Sequence, residues 1–262
     1  MNTEKAEGGG VPPRLPAAGG GVGWPAGRLG KAVGVFIFFT LVASAVYALI
    51  GAVRAPGAAA VSTAASGKVR SDYVLMLLES CLGLLILFLP SMLEKRFRII
   101  LPSRMYLLFV VFLYAAIFLG EVRDFYYRIP HWDVILHAFS GIMLGALGFS
   151  IVSLLNKSEK VAVTLSPQFV ALFAFSFALS LGVIWEIYEF AADGVLGLNM
   201  QKFALEDKTS LVGRAALVDT MKDLIVDALA ALAVSVFGFL SMKAEKSWIA
   251  RVALKRKPEA VS

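Results

Sequence analysis

Ser180–Asp193 reads SLGVIWEIYEFAAD, the end of an apolar run long enough to cross a bilayer, and it closes on two glutamates. Glu186 and Glu189 are three residues apart, so on a helix they share one face. A carboxylate in hydrocarbon costs roughly 2.5–3.5 kcal/mol at a helix centre and less toward the ends, so such a pair needs partners. The other apolar segments are where those partners must come from.

The chain has 262 residues, 58% of them hydrophobic, with a mean hydropathy of +0.76. Several runs approach the roughly 20 apolar residues a span requires, which predicts an all-α polytopic membrane bundle. Six spans are expected at about 32–53, 73–90, 105–120, 134–155, 168–190 and 220–241, and Pro90, Pro102, Pro130 and Pro167 fall at their edges. The first run has a small-residue exit like a signal-peptide cleavage region, but at about 22 residues it is longer than an h-region and reads as a span. Residues 1–30, rich in Gly, Pro and Ala without apolar period, read as a disordered cytoplasmic tail, followed by a membrane domain over 31–242. Residues 243–262 form a basic tail in which Trp248, Ile249, Val252 and Leu254 can make a short apolar stripe on the membrane surface.

A net charge of +6 and a pI near 9.4 would suggest nucleic acid in a soluble chain. Here the basic residues sit in tails and loops, where positive-inside topology and anionic lipid account for them, so no nucleic-acid partner is expected. One side of the six spans carries 16 Lys and Arg and the other 9, which places both termini in the cytoplasm of a multi-pass cell-membrane protein. The single cysteine, Cys81, lies in an apolar run and says little about redox compartment.

With that topology, four spans bring acidic groups to the outer half of the membrane. Glu79 sits about two turns below the outer end of the second span, and Asp133 opens the fourth with His137 one turn deeper. Glu186 and Glu189 close the fifth; Asp219, Asp223 and Asp227 open the sixth at successive i, i+4 positions, spread over roughly 12 Å of helix. Bland readings stand beside each: Asp133 and Asp219 suit helix N-caps, Asp223 suits the helix dipole, and Arg123 and Asp124 suit a solvated loop. Capping does not explain the deeper His137, Glu186, Asp227 or Glu79. Gly141, Gly145 and Gly148 make a small-residue packing face, and Trp132, Trp185, Tyr126, Tyr127 and Tyr188 suit an interfacial belt.

The order Asp133-x-x-x-His137, Trp185-Glu186-x-x-Glu189 and Asp219-Thr220-x-x-Asp223-x-x-x-Asp227 resembles the YjdF-type integral membrane proteins, themselves distantly similar to the VanZ-like group. The resemblance covers about residues 70–240 and supports fold and site placement, since it brings no settled activity with it. In those relatives a Gly-Asp pair with a Trp before the aspartate usually precedes the last motif; here Val218 stands there, after GRAAL.

Oxygen ligands with one imidazole suit Mg²⁺, Mn²⁺, Fe²⁺ or Zn²⁺, and carboxylates on facing helices are one way to build such a site. The expected ligands are His137, Glu186, Asp223 and Asp227, with Glu189 and Asp133 as general base or outer support and Glu79 and Asp219 behind them. A divalent metal there would activate water against a phosphate or acyl ester of a lipid or lipid-linked substrate. Two other classes stay open. One is a proton- or ion-coupled transporter, although the inner halves of the spans carry no charge. The other is a scaffold whose acids pair with Arg123, Arg128, Arg214 or Lys222. The loop 194–218 is amphipathic enough for short interfacial helices and suits a lid over the outer site.

Overall fold

The computed structural model describes residues 27–57, 68–156, 165–205, 209–244 and 254–256; the expected N-terminal tail and most of the C-terminal stripe lie outside them. Among these described residues, six helices are long and apolar enough to cross a membrane. They are α1 (Arg28–Arg54), α2 (Arg70–Phe97), α3 (Ser103–Leu113, continuing as a π-helix over Tyr114–Val122), then, after a short α4 (Phe125–Arg128), α5 (Trp132–Asn156), α6 (Pro167–Leu196) and α7 (Val218–Lys243). Each runs past the apolar stretch that identifies it. Helix α2 starts at a Val69 N–H that donates to Asp72 Oδ2 at 2.9 Å, and α6 starts at Ser166, whose Oγ accepts from the Phe169 N–H. Gly197, at φ +64°, ends α6 in the left-handed region that costs glycine least.

The chain packs as two sub-bundles. Helix α1 lies along α2 with α3 against both, around Ile37, Leu41, Leu87, Tyr106, Val110, Leu113 and Ile117, all buried. Helices α5, α6 and α7 pack on one another in a closed trio. The small residues expected to line α5 do so. A Cβ on Gly141 would meet Ala230 Cβ at 2.9 Å, one on Gly148 would meet the Ala174 backbone at 2.8 Å, and one on Gly145 would overlap Val234. Backbones approach closely where lipid offers no hydrophobic drive to pull helices together, so packing there is largely van der Waals contact.

The π-helix joins the two sub-bundles at one end. Its wide turns leave backbone carbonyls outside the regular ladder. The carbonyl of Ala115 accepts from the Trp132 indole N–H at 3.3 Å, which ties α3 to the start of α5. Gly120 leaves room for the Tyr126 ring, which a Cβ would overlap. At the opposite end a two-residue strand β1 (Ile99–Ile100) pairs antiparallel with β2 (Lys255–Arg256), so the C-terminal tail folds back onto the α2–α3 turn. Leu254, from the expected stripe, is buried there.

Candidate functional site

The acidic residues converge where the sequence places them, at the end of the α5–α6–α7 trio opposite β1. Asp133 lies in the first turn of α5 and His137 one turn deeper; Asp219, Asp223 and Asp227 descend α7 at the same spacing. His137 stands between two carboxylates, with Nδ1 3.3 Å from Asp227 Oδ1 and Nε2 3.8 Å from Asp133 Oδ1. Asp133, His137 and Asp223 each offer a ligand atom, all within 4.8 Å of one another. Two helices thus bring one imidazole and two carboxylates to a single point.

The expected ligand set is only partly assembled. Asp227 faces His137 and stands outside the group of three, as does Glu186. Glu186 is 4% exposed, and neither of its oxygens has a hydrogen-bond partner; the Gln201 amide faces it outside hydrogen-bond geometry. Asp223, 2% exposed, likewise keeps an unpartnered Oδ1. A seat for Asp227 is cut into α6 at Gly182, where a Cβ would overlap the Asp227 carboxylate. Glycine there lets a charged group approach a helix backbone that any side chain would hold away.

Asp133 and Asp219 are not N-caps. Each lies one residue inside its helix, and the cation that holds them comes from the loop. Lys202 Nζ bonds Asp133 Oδ2 and lies 3.3 Å from Asp219 Oδ2 and 5.3 Å from the centre of the Tyr126 ring. Burial pulls the Lys202 ammonium down, but Asp133 and Asp219 more than offset it and hold it above the usual lysine range. Burial, reinforced by the surrounding carboxylates, holds the Tyr126 phenol well above its ordinary value. Among the described residues Lys202 is the cation that ion-pairs within the deep cluster, whereas Arg128 pairs with Asp124 at the rim, where Lys68 also bonds it.

The loop after α6 is tied down at its start. Asp193 accepts from the N–H groups of Met200 at 2.7 Å and Gln201 at 3.0 Å, and Gln201 Nε2 donates to Thr220 Oγ1 at 2.9 Å. Leu198 and Met200 are buried against Leu75 and Ala192, with Trp185 and Tyr188 packed around them. A bridge between Ala204 and Ser210 stands where the first short helix was expected, and the second appears as a 3₁₀ helix over Gly213–Leu217 that leads into α7. Sequence reading missed both Asp193 and Lys202. An acid one turn before the Gly197 helix stop, and a lysine set among Leu198, Met200, Phe203 and Leu205, are the signals the sequence offers.

A second set of carboxyls borders the first. Glu79 of α2, Glu121 at the end of the π-helix and Glu189 of α6 are half-buried, and Glu121, Glu189, Asp133 and Lys202 all lie within electrostatic reach of Glu79. Glu79 and Glu189 therefore stand beside the cluster and not in its ligand group.

The model of a family described as "Predicted membrane protein (DUF2238)" matches residues 52–244, which include every residue of the site. An uncharacterized protein of Thermotoga maritima is 29% identical over 143 residues, 54% of this chain and 65% of the relative, so the chain spans about two thirds of that protein's length. No solved structure gives a significant match. With its family match running from the end of α1 through α7, the chain belongs to the DUF2238 family of predicted membrane proteins.

Proposed function

We propose that the cluster on α5, α6 and α7 is a divalent-cation site, and that the protein is a membrane enzyme acting on a phosphate or acyl ester of a lipid or lipid-linked substrate. The observation that carries this reading is the meeting of Asp133, His137 and Asp223 within 4.8 Å beside buried carboxylate oxygens with no partner. Asp133, Asp219, Asp223, Asp227, Glu186 and Glu189 bring six carboxyls to a region where Lys202, His137 and, beside Asp219, Lys222 are the compensating groups. Buried negative charge in that excess needs added cations or protons.

Asp133, His137 and Asp223 are the ligands in this reading. Asp227 orients the imidazole through Nδ1, and Lys202 fixes Asp133 through the oxygen that faces away from His137. Glu186, enclosed and unbonded, accepts the proton of the attacking water. A bound divalent ion would supply Lewis-acid polarisation of the ester and a more acidic water. The likeness to YjdF-type proteins adds motif order to this proposal and no activity, and we place the acidic end on the extracytoplasmic side from the distribution of Lys and Arg.

The test is elemental analysis of detergent-purified wild type beside a His137→Ala, Asp223→Ala double variant. Near-stoichiometric Mg, Mn, Fe or Zn in the wild type and its loss in the variant is the expected result. Equal metal in both overturns the reading. One specific observation favours a second reading: Lys202 already pairs with Asp133 and Asp219, as in a scaffold whose acids only fix the loop. Metal-free wild type that unfolds on Lys202→Met substitution would decide for that reading.

A further inference from the structure

At the end of the bundle opposite the carboxylates, the fold brings basic residues from separate chain segments together. The Gly27 N–H donates to Ser103 Oγ at 3.4 Å, so the start of α1 stands beside the start of α3, next to the end of α2. Arg28, Lys31, Lys95, Arg96, Arg98 and Arg104 are all exposed at this end. The nearby acid, Glu94, is 9% exposed, and its Oε1 accepts from the Leu101 N–H at 2.9 Å. Glu94 is committed to holding the turn and not to neutralising these cations.

Two features make this a built surface. Arg98 sits at the C-cap of α2 with φ 53° and ψ 37°, a left-handed position that glycine fills at least cost. Keeping an arginine in a conformation that costs about 1 kcal/mol points to a use for its guanidinium. The C-terminal chain also returns to this same turn, where the backbone of Ile99 pairs with that of residue 256 and Ile100 with that of residue 255. Leu254, 6% exposed, anchors that return.

We infer that this turn, with the start of α1 beside it, forms a docking site for the anionic phospholipid headgroups of the surrounding leaflet. Charge complementarity and position name the occupant. Basic groups from several chain segments lie at the ends of helices long and apolar enough to cross a membrane, where headgroups are expected, with exposed apolar side chains such as Leu29, Met92 and Phe97 beside them for acyl chains. Headgroup phosphates accept from guanidinium groups in forked geometry, and the acyl chains hold them at that depth. The site is independent of the carboxylate cluster.

The test uses full-length protein, delipidated in detergent, and an Arg96→Gln, Arg98→Gln, Arg104→Gln triple variant, both titrated with phosphatidylglycerol or phosphatidylcholine and followed by native mass spectrometry and thermal melting. The wild type is expected to retain phosphatidylglycerol over phosphatidylcholine and to melt higher with it. The triple variant should bind it on the order of 100-fold more weakly, with an unchanged melting point in phosphatidylcholine. A single Arg98→Gly variant, which relaxes the backbone while removing the cation, should melt no lower than wild type yet bind phosphatidylglycerol more weakly. Equal retention of the two lipids by wild type, or equal phosphatidylglycerol binding by wild type and the triple variant, overturns the inference. Soluble glycerol phosphate that displaces the lipid completely would also overturn it, by assigning the surface to a soluble anion.

Discussion

The two sub-bundles are equally apolar in sequence and differ in what they enclose. Around α1, α2 and α3 the buried cluster is Ile37, Leu41, Leu87, Val110, Leu113 and Ile117 with the phenol of Tyr106, and the buried polar side chains among the described residues of these helices are Ser44, Ser80 and Glu94, the last at the rim. Inside α5, α6 and α7, Glu186, Asp223 and Asp227 are as deeply enclosed as Leu113 of the first sub-bundle. A core of dispersion contacts has one requirement, close packing. A core of carboxylates demands a partner for every charge, so it persists only where something else supplies compensation. The interior of the first sub-bundle is held mainly by packing, and that of the second carries the carboxylates on which the proposed cation site depends.

The sharpest way to break that contrast is to damage each core in turn. Leu41→Ala should lower stability by about 3 kcal/mol through the cavity it leaves, measured by unfolding in detergent, and should leave metal content unchanged. A fall in metal content would show that the two sub-bundles are coupled. Lys202→Met should cost about 2 kcal/mol, because Asp133 and Asp219 lose their paired cation while still part-buried. The sign of its pH dependence follows from the raised Lys202 value. The ion-pair contribution is fully present below the unfolded-state lysine pKa of about 10.4 and fades as pH rises through the higher folded value. The stability gap between wild type and Lys202→Met should thus be flat from pH 6 to 9, and a gap closing already at pH 8 would contradict the pairing.

Asp223→Asn should act in the opposite direction. Removing one unbalanced charge should raise metal-free stability by about 1 kcal/mol while abolishing metal retention, a trade of stability against function. Destabilisation by that variant would mean that the carboxylate is already compensated in the metal-free protein. The smallest effect belongs at the rim. Arg128, whose side chain is 66% exposed, pairs with Asp124 at 3.3 Å, and Arg128→Ala should change stability by less than about 0.5 kcal/mol.

The spans, the convergence of acids on one end and the glycine face of α5 were all legible in the sequence, because hydrophobic runs, charge depth and small-residue spacing are one-dimensional signals. The spans came out longer than read. Residues such as Lys95 and Arg96 at the end of α2, or Asp193 near the end of α6, continue a helix beyond the hydrocarbon that defines it. Partner choice was not legible. Lys202 reaches Asp133 across 69 residues, and His137 reaches Asp227 across 90. Nothing local to Asp133 distinguishes a helix cap from an ion pair with a distant loop. Nor does the sequence of Tyr114–Val122, an ordinary apolar run, announce that it winds as a π-helix.

That winding sets an azimuth. A π segment takes in an additional residue over its length, and one residue on a regular helix is a rotation of about 100°. Glu121 lies at the far end of Tyr114–Val122, so the side of the rod from which it emerges is fixed by that widening, while Met105 to Leu113 keep their grip on the apolar half. One rod can in this way serve two neighbours that call for different phases, and the slack residue lets its polar tip be re-aimed without disturbing the remainder.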